Sequence, residues 1–361
     1  MNIPYVDLAA QHRPLRQELL DAVGRVLDHG QFILGPEVHE LEARLAALLG
    51  ARHVIGVSNG TDALVLALEA AGVGPGDEVI TVSHSFVATA SSIVLVGATP
   101  VFVDVRDDTM TIDVEAARQA ITPKTRALLP VHLNGTPCDM APLLELARQH
   151  GLAVVEDVAQ ALGARYRGQA VGTFGIGAFS LHPLKILSAC GDAGFVTLRE
   201  GDDEPKLRRA RNLGLVDRDH CAEPAGNRRL DTVLAAMLLV KLNHLDEYLA
   251  ARAAHVAAYR SALAGRVALP AVPEGATPVH SCFPVRHAER ERILEALRAR
   301  GVEAKIHYPL AIHQQAAFAG RAQRPLPVTE RVVAEIFSLP ITPELTERQR
   351  DQVIEAMRAA T

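Results

Sequence analysis

From about residue 53 to residue 200 the chain alternates short β-branched apolar runs with stretches whose apolar positions recur at helical spacing. The runs HVIGVS (53–58), EVITV (78–82), PVFVDV (100–105), RALLPV (126–131), LAVVED (152–157), IGAFSL (176–181) and GFVTL (194–198) read as strands. This alternation predicts a mostly parallel sheet whose faces are covered by helices. DALVLALEAAG and APLLELARQHG read as two of those helices, the second stopping at Gly151, where a helix C-cap favours glycine.

Past residue 230 the pattern changes. TVLAAMLLVKLNHLDEYLAARAAHVAAYRSALAG reads as one long helical run, of a length suited to bridging a large domain and a small one. The remainder mixes a few short strands with ERILEALRARG and ERQRDQVIEAMRAA, and RAQRPLP reads as an exposed loop. The expected fold class is therefore α/β, a large domain over 1–245 followed by a smaller C-terminal α+β domain over 246–361.

Composition narrows the picture. With 361 residues, 48% of them hydrophobic, the chain can bury one large core and a smaller one. A formal charge of -5 with both signs interspersed leaves no basic stripe, so nucleic acid is not expected as a partner. The opening MNIPYVDLAAQHRPLRQ has no basic-then-apolar leader, and no run approaches the roughly 18 apolar residues of a membrane span. A cytoplasmic address is expected. Cys138, Cys190, Cys221 and Cys282 are scattered without a CxxC pair, which argues against a zinc cage or a disulfide framework.

Candidate chemistry sits where apolar strands terminate in polar residues, because open α/β sheets bind ligands beyond the carboxyl ends of their strands. The first run enters Asn59-Gly60-Thr61-Asp62 and then a helix, an arrangement that aims N–H groups and a hydroxyl at an anion. Alternatively, Thr61 or Asp62 simply caps that helix. LAVVED ends on Asp157, a carboxylate that needs a cation or strong donors if buried. Further on, Ser180-Leu181-His182-Pro183-Leu184-Lys185 carries a lysine just past a strand. An anion-binding helix start, a strand-end carboxylate and a strand-end lysine match the phosphate, the pyridinium and the aldehyde of pyridoxal phosphate. That cofactor requires a carboxylate to keep its ring nitrogen protonated and an amine to form a Schiff base.

Across nearly its whole length the sequence resembles the DegT/DnrJ/EryC1/StrS aminotransferases, nucleotide-sugar enzymes of the aspartate-aminotransferase fold. VSNGTDAL, GPGDEVI, SFVATA, VVEDVAQALGA, SLHPLK, GDAGF, NRRLDTVLAA and HYPLAIHQQ carry the resemblance in order. It implies pyridoxal 5'-phosphate bound as a Schiff base to Lys185, with Asp157 on the pyridine nitrogen and Gln160 on the phenolic oxygen. Gly60, Thr61 and Ser180 would hold the phosphate, joined by Asn227 from the partner subunit of a homodimer. Phe86 would stack on the ring, its alternative being an ordinary core phenylalanine. Arg229, His307 and Tyr308 match positions facing the nucleotide-linked keto-sugar.

Two departures stand out. Ile186 replaces an asparagine common after the lysine, and Gly191-Asp192-Ala193-Gly194 replaces GEGG, a form similar to the branch acting on 3-keto sugars. Arg228 beside Arg229 adds positive charge suited to a diphosphate or a sugar carboxylate. The resemblance implies L-glutamate as donor, released as 2-oxoglutarate, with Lys185 as general base and ping-pong kinetics. The alternatives are a 4-keto sugar or a cyclitol as acceptor, or a regulatory protein that binds the cofactor without turnover. A dehydratase of this family would carry histidine in place of Lys185. A Rossmann oxidoreductase would need a GxGxxG turn where the chain offers only Gly175-Ile176-Gly177.

Overall fold

Strands form where the apolar runs lie. The computed structural model describes residues 2–322 and 324–361, and in it the strands are β1 (His53–Val57), β2 (Glu78–Val82), β3 (Thr99–Val103), β4 (Thr125–Leu129), β5 (Ala153–Asp157), β6 (Arg165–Tyr166), β7 (Gln169–Ala170), β8 (Ile176–Ser180), β9 (Gly194–Leu198), β10 (Ala276–Thr277), β11 (Phe283–Arg286) and β12 (Ile336–Leu339). Seven of them build the main sheet in the order β1-β9-β8-β5-β4-β2-β3. β9 alone runs against both its neighbours; the other pairings are parallel. The sheet is thus mixed and mostly parallel.

Successive strand residues are buried on opposite faces. Ile80 and Leu128 belong to one apolar cluster, Val79, Ala127 and Leu129 to the other. Helices Pro36–Leu49 and Met140–His150 close the first face through Leu41, Leu45, Leu143 and Leu146. Helix Gly60–Ala70 closes the second with Ala63, Leu64, Leu66 and Ala67. Each such leucine contributes about 1.5–3 kcal/mol by leaving water, so both faces are firmly sealed. Helix Met140–His150 stops at Gly151, whose φ of 65° is the left-handed cap that glycine adopts without a steric penalty.

The long helical run past residue 230 is interrupted. Helix Thr232–Leu242 ends and helix Leu245–Leu263 begins after a tight turn at Asn243 and His244. There the amides switch to i−3 carbonyls, Asn243 to Val240 and His244 to Lys241, at 3.2 and 3.1 Å. Asparagine is a poor helix former, and the Asn243 side chain is committed instead to Arg44, 2.8 Å away. Apolar periodicity carries through such a break, which hides it in the sequence.

A separate apolar cluster gathers Ile3 with Val256, Tyr259, Phe283, Ile293, Phe337, Val353 and Met357 around the β11–β12 pair. In the loop 321–327, Gln323 lies outside the described residues. Arg321, Arg324 and Pro325 are exposed as expected, but Leu326 is buried with Phe102 and Phe318 and pins the loop down.

Candidate active site

The carboxyl ends of β1, β2, β4, β5 and β8 open on one edge of the sheet, and antiparallel β9 starts there. Register fixes the arrangement: Asp157 lies opposite Ala178 of β8, and Ser180 lies opposite Gly194 of β9. Helix Gly60–Ala70 also begins at this edge.

Asn59 caps that helix, its side chain accepting from the Asp62 amide at 2.8 Å. The cap is therefore neither Thr61 nor Asp62. Asp62 is occupied by Ser58 and by Asn59 Nδ2, and the amides of Gly60 and Thr61 precede the first intrahelical bond. Gly60 is required by proximity, since a Cβ there would lie 2.6 Å from Ser180 Cβ and 3.0 Å from Ser180 Oγ. Gly194 is similarly confined, with Asn59 O 2.6 Å from where its Cβ would be. Glycine backbone, a serine hydroxyl and a helix N-terminus converge on one small cradle, the chemistry that holds a phosphate.

Asp157 is 4% exposed. Its Oδ2 accepts from Thr89 Oγ1 at 2.8 Å and its Oδ1 from the Ala159 amide at 3.1 Å. Burial pushes this carboxyl above its ordinary pKa, against the pull of Thr89, Ala159, Lys185 and His132. Lys185 follows on the loop after β8, whose ends are tied by the bond from Leu181 N to Ala193 O. Burial pushes its amine down, opposed by Cys282 and by Asp157. A desolvated carboxylate and a desolvated amine facing the same space suit a cofactor with a pyridinium to hold and an aldehyde to accept an amine. With the anion cradle, these residues fit pyridoxal phosphate.

Gln160 donates to Tyr308 Oη at 3.0 Å, and its Oε1 accepts from the Asn134 amide at 2.7 Å. Its amide is thereby oriented, and burial raises the Tyr308 phenol, keeping it protonated. Phe86 is 54% exposed, so it is no core phenylalanine; its ring centroid lies 5.8 Å from that of Tyr308. His307 adjoins Tyr308, the ring centroids 5.7 Å apart, and its Nδ1 lies 3.2 Å from Ser338 Oγ. Burial lowers the His307 ring, but Cys282 outweighs it and the net shift is upward. The Cys282 thiol is raised by burial and lowered more strongly by His307, with Tyr5 and Lys185, to about 7.

Arg229 pairs with Val57 on the side of β1 away from Gly194, and Asn227 pairs with Asn212. Their segment crosses the end of β1, Ser58 N donating to Arg228 O at 3.0 Å, with Asn227 exposed. Arg229 donates to Asn212 at 3.0 Å, leaving its buried Nε without a partner among the described residues. Arg228 meets Glu69 at 3.1 Å and Asp62 at 3.5 Å, so its charge is already matched within the chain.

Several contributors were silent in the sequence. Thr89 and Ser85, 2.8 Å apart, form a hydroxyl chain ending on Asp157. His132 and Glu156 are both wholly buried, 3.1 Å apart, behind the strand end. Glu156 also takes the amides of Gly172, Phe174 and Gly175, while His132 Nδ1 accepts from the Cys138 amide. The only hint was VVED itself, two adjacent acids ending an apolar strand and therefore pointing to opposite faces.

The DegT/DnrJ/EryC1/StrS aminotransferase family profile matches residues 14–358. The chain belongs to this family. It is 44% identical to a UDP-N-acetyl-3-dehydro-alpha-D-glucosamine 3-aminotransferase of Acidithiobacillus ferrooxidans over 99% of this chain and 97% of that one. It is 43% identical to a dTDP-3-amino-3,4,6-trideoxy-alpha-D-glucose transaminase of Streptomyces venezuelae, over 99% and 95%. Its structure superimposes on that of S. venezuelae DesV in complex with a ketimine intermediate with a TM-score of 0.97 at 43% identity, covering 99% and 98% of the two chains. This aminotransferase therefore has the mixed sheet of its family and uses pyridoxal phosphate. Among the described residues no group of histidine, cysteine or acidic side chains is arranged to hold a metal, and no helix is long and apolar enough to cross a membrane.

Proposed function

We propose that this aminotransferase converts the ketone of a nucleotide-linked 3-keto hexose into an amine, with L-glutamate as the nitrogen donor. The observation that carries the reading is a desolvated Lys185 facing a desolvated Asp157 beside the Gly60–Ser180 cradle, in a chain whose relatives at 43–44% identity are named for the 3-position of a sugar. Once bound, pyridoxal phosphate supplies an electron sink. Asp157 holds the ring-nitrogen proton. The lowered Lys185 amine would accept the proton from the donor's α-carbon and deliver it to C4′ on the cofactor side. Gln160, oriented by Tyr308 and Asn134, offers an amide proton to the phenolic oxygen. Phe86 covers the ring, and Arg229, His307 and Tyr308 face the sugar nucleotide.

Further parts of this reading are a homodimer in which Asn227 completes the partner's phosphate cradle, a cytoplasmic address and a domain division near residue 245. The division is supported by the separate cluster around β11–β12. The test is to offer the purified protein L-glutamate with UDP- or dTDP-linked 3-keto and 4-keto hexoses and to measure 2-oxoglutarate and the amino sugar. Turnover of the 4-keto substrates alone would overturn the 3-keto assignment.

A further inference from the structure

The loop that carries Lys185 is fastened from behind by a second lysine. Lys241, on helix Thr232–Leu242, is wholly buried. Its Nζ lies 2.5 Å from the Oγ of Ser188, on the Lys185 loop, and 3.1 Å from His12 Nε2. Ser188 is itself buried and its hydroxyl donates to Gln11 Oε1 at 3.3 Å, so its lone pairs are left to accept from Lys241. Gln11 and His12 both belong to helix Leu8–His12. Backbone bonds from Leu181 to Ala189 and Ala193 close the base of the loop; the Lys241 amine ties the same loop to two helices.

The charges at this joint are one-sided. Exposed Lys305 has Glu303 at 2.5 Å, yet buried Lys241 has no carboxylate within ion-pairing distance among the described residues, only a hydroxyl and an imidazole nitrogen. An ammonium only donates, so His12 Nε2 meets it with a lone pair and the ring proton sits on Nδ1. The groups facing His12 are Lys241, Cys190 with its Sγ at 3.7 Å, and Arg13 and Arg16, which line the same groove. Glu344 acts on Lys241 from further off. One positive charge fits between Lys241 and His12; a second proton would set two donors and two like charges face to face. Burial, and then Lys241, accordingly hold the His12 ring below the ordinary histidine value.

We propose that Lys241 is a positioning residue for Lys185, holding its loop through Ser188 for as long as His12 is uncharged. The inference rests on the reading of Lys185 as the lysine that binds the cofactor. At pH above the His12 pKa the joint is closed. As pH falls through that value it opens, because a histidine whose folded pKa is depressed loses its contribution on the acid side. Lys185 is then less well placed to take up the donor's proton.

The test follows bleaching of the yellow cofactor band by L-glutamate in the cofactor-loaded enzyme across pH. His12→Gln offers an amide oxygen to Lys241 and cannot be protonated, so bleaching persists to lower pH than in wild type. Lys241→Met bleaches about tenfold more slowly, as for a lost hydrogen bond from a charged donor, and adding His12→Gln to it changes nothing further. Its thermal midpoint stays at or above that of wild type, since an apolar chain replaces a buried charge; a merely structural lysine would give a lowered midpoint with native kinetics. Should Lys241→Met fail to fold, Ser188→Ala decides, because it cuts the same tie by deleting one hydroxyl and is expected to slow bleaching likewise. An unshifted pH dependence in His12→Gln, or wild-type bleaching in Lys241→Met and Ser188→Ala, would overturn the proposal. Borohydride separates the two readings: cofactor that stays attached to Lys185→Ala after reduction would overturn the assignment of Lys185, and the role of Lys241 with it.

Discussion

Thr89→Val removes one hydroxyl from beside Asp157 and also takes away the 2.8 Å partner of the buried Ser85 hydroxyl. Valine has the shape of threonine, and position 89 is 1% exposed, so packing is preserved. The contact Asp157 loses is the 2.8 Å bond to Oδ2, leaving it with the Ala159 amide at 3.1 Å. A hydrogen bond to a charged acceptor is worth about 1.5–3 kcal/mol, so the variant should lose about 10- to 100-fold in the step that relies on ionised Asp157. Burial already raises this carboxyl's pKa and Thr89 opposes the rise, so the acid limb of kcat/KM should move to higher pH.

Stability gives an independent check with a definite sign. A carboxyl whose folded pKa is raised stabilises the fold below its unfolded pKa, and that contribution is lost as pH rises through the folded value. In the cofactor-free protein the variant should therefore be less stable than wild type near neutral pH, by up to the same 1.5–3 kcal/mol. The gap should narrow in acid. Denaturant unfolding at several pH values and the kcat/KM profile read the two effects. An acid limb unmoved from wild type, with turnover within a factor of two, would refute the claim that Thr89 sustains ionised Asp157.

Lys185→Ala should abolish the yellow adduct and transamination while leaving the unfolding midpoint nearly unchanged, as spectroscopy and thermal melting would show. Gly60→Ala should cut cofactor affinity and cost about 1–3 kcal/mol, because its Cβ would sit 2.6 Å from that of Ser180; cofactor titration and denaturant unfolding measure both. Arg229→Ala should raise KM for the sugar nucleotide and spare the half-reaction with glutamate in single-turnover assays. Co-expressed Lys185→Ala and Asn227→Asp chains should regain activity in mixed dimers, where one site carries both lesions and the other is native; no rescue in isolated mixed dimers would place Asn227 within its own site.

Much of this was legible because the strands are apolar runs closed by polar residues. Gly60, Asp157, Ser180 and Lys185 could be singled out as strand-end residues before their geometry was known. What stayed hidden depends on contacts distant in sequence. Thr89 reaches Asp157 across 68 residues, and Tyr308 reaches Gln160 across 148; local pattern carries no trace of either. The reversal of β9 was equally silent, because a strand buried on both faces reads alike in either direction.

The tie between Leu181 N and Ala193 O bears on how the enzyme is assembled in time. It closes the lysine loop with a contact only 12 residues apart, short enough to form as soon as β8 and β9 meet. The cradle and Asp157 instead wait for strands brought together from far along the chain, such as β1 seated on β9. The lysine's loop should consequently mature early, and a competent pocket only late. Cofactor supplied during refolding should leave the earliest kinetic phases untouched and act by slowing unfolding of the finished protein, since a ligand that binds only the native state stabilises it by mass action.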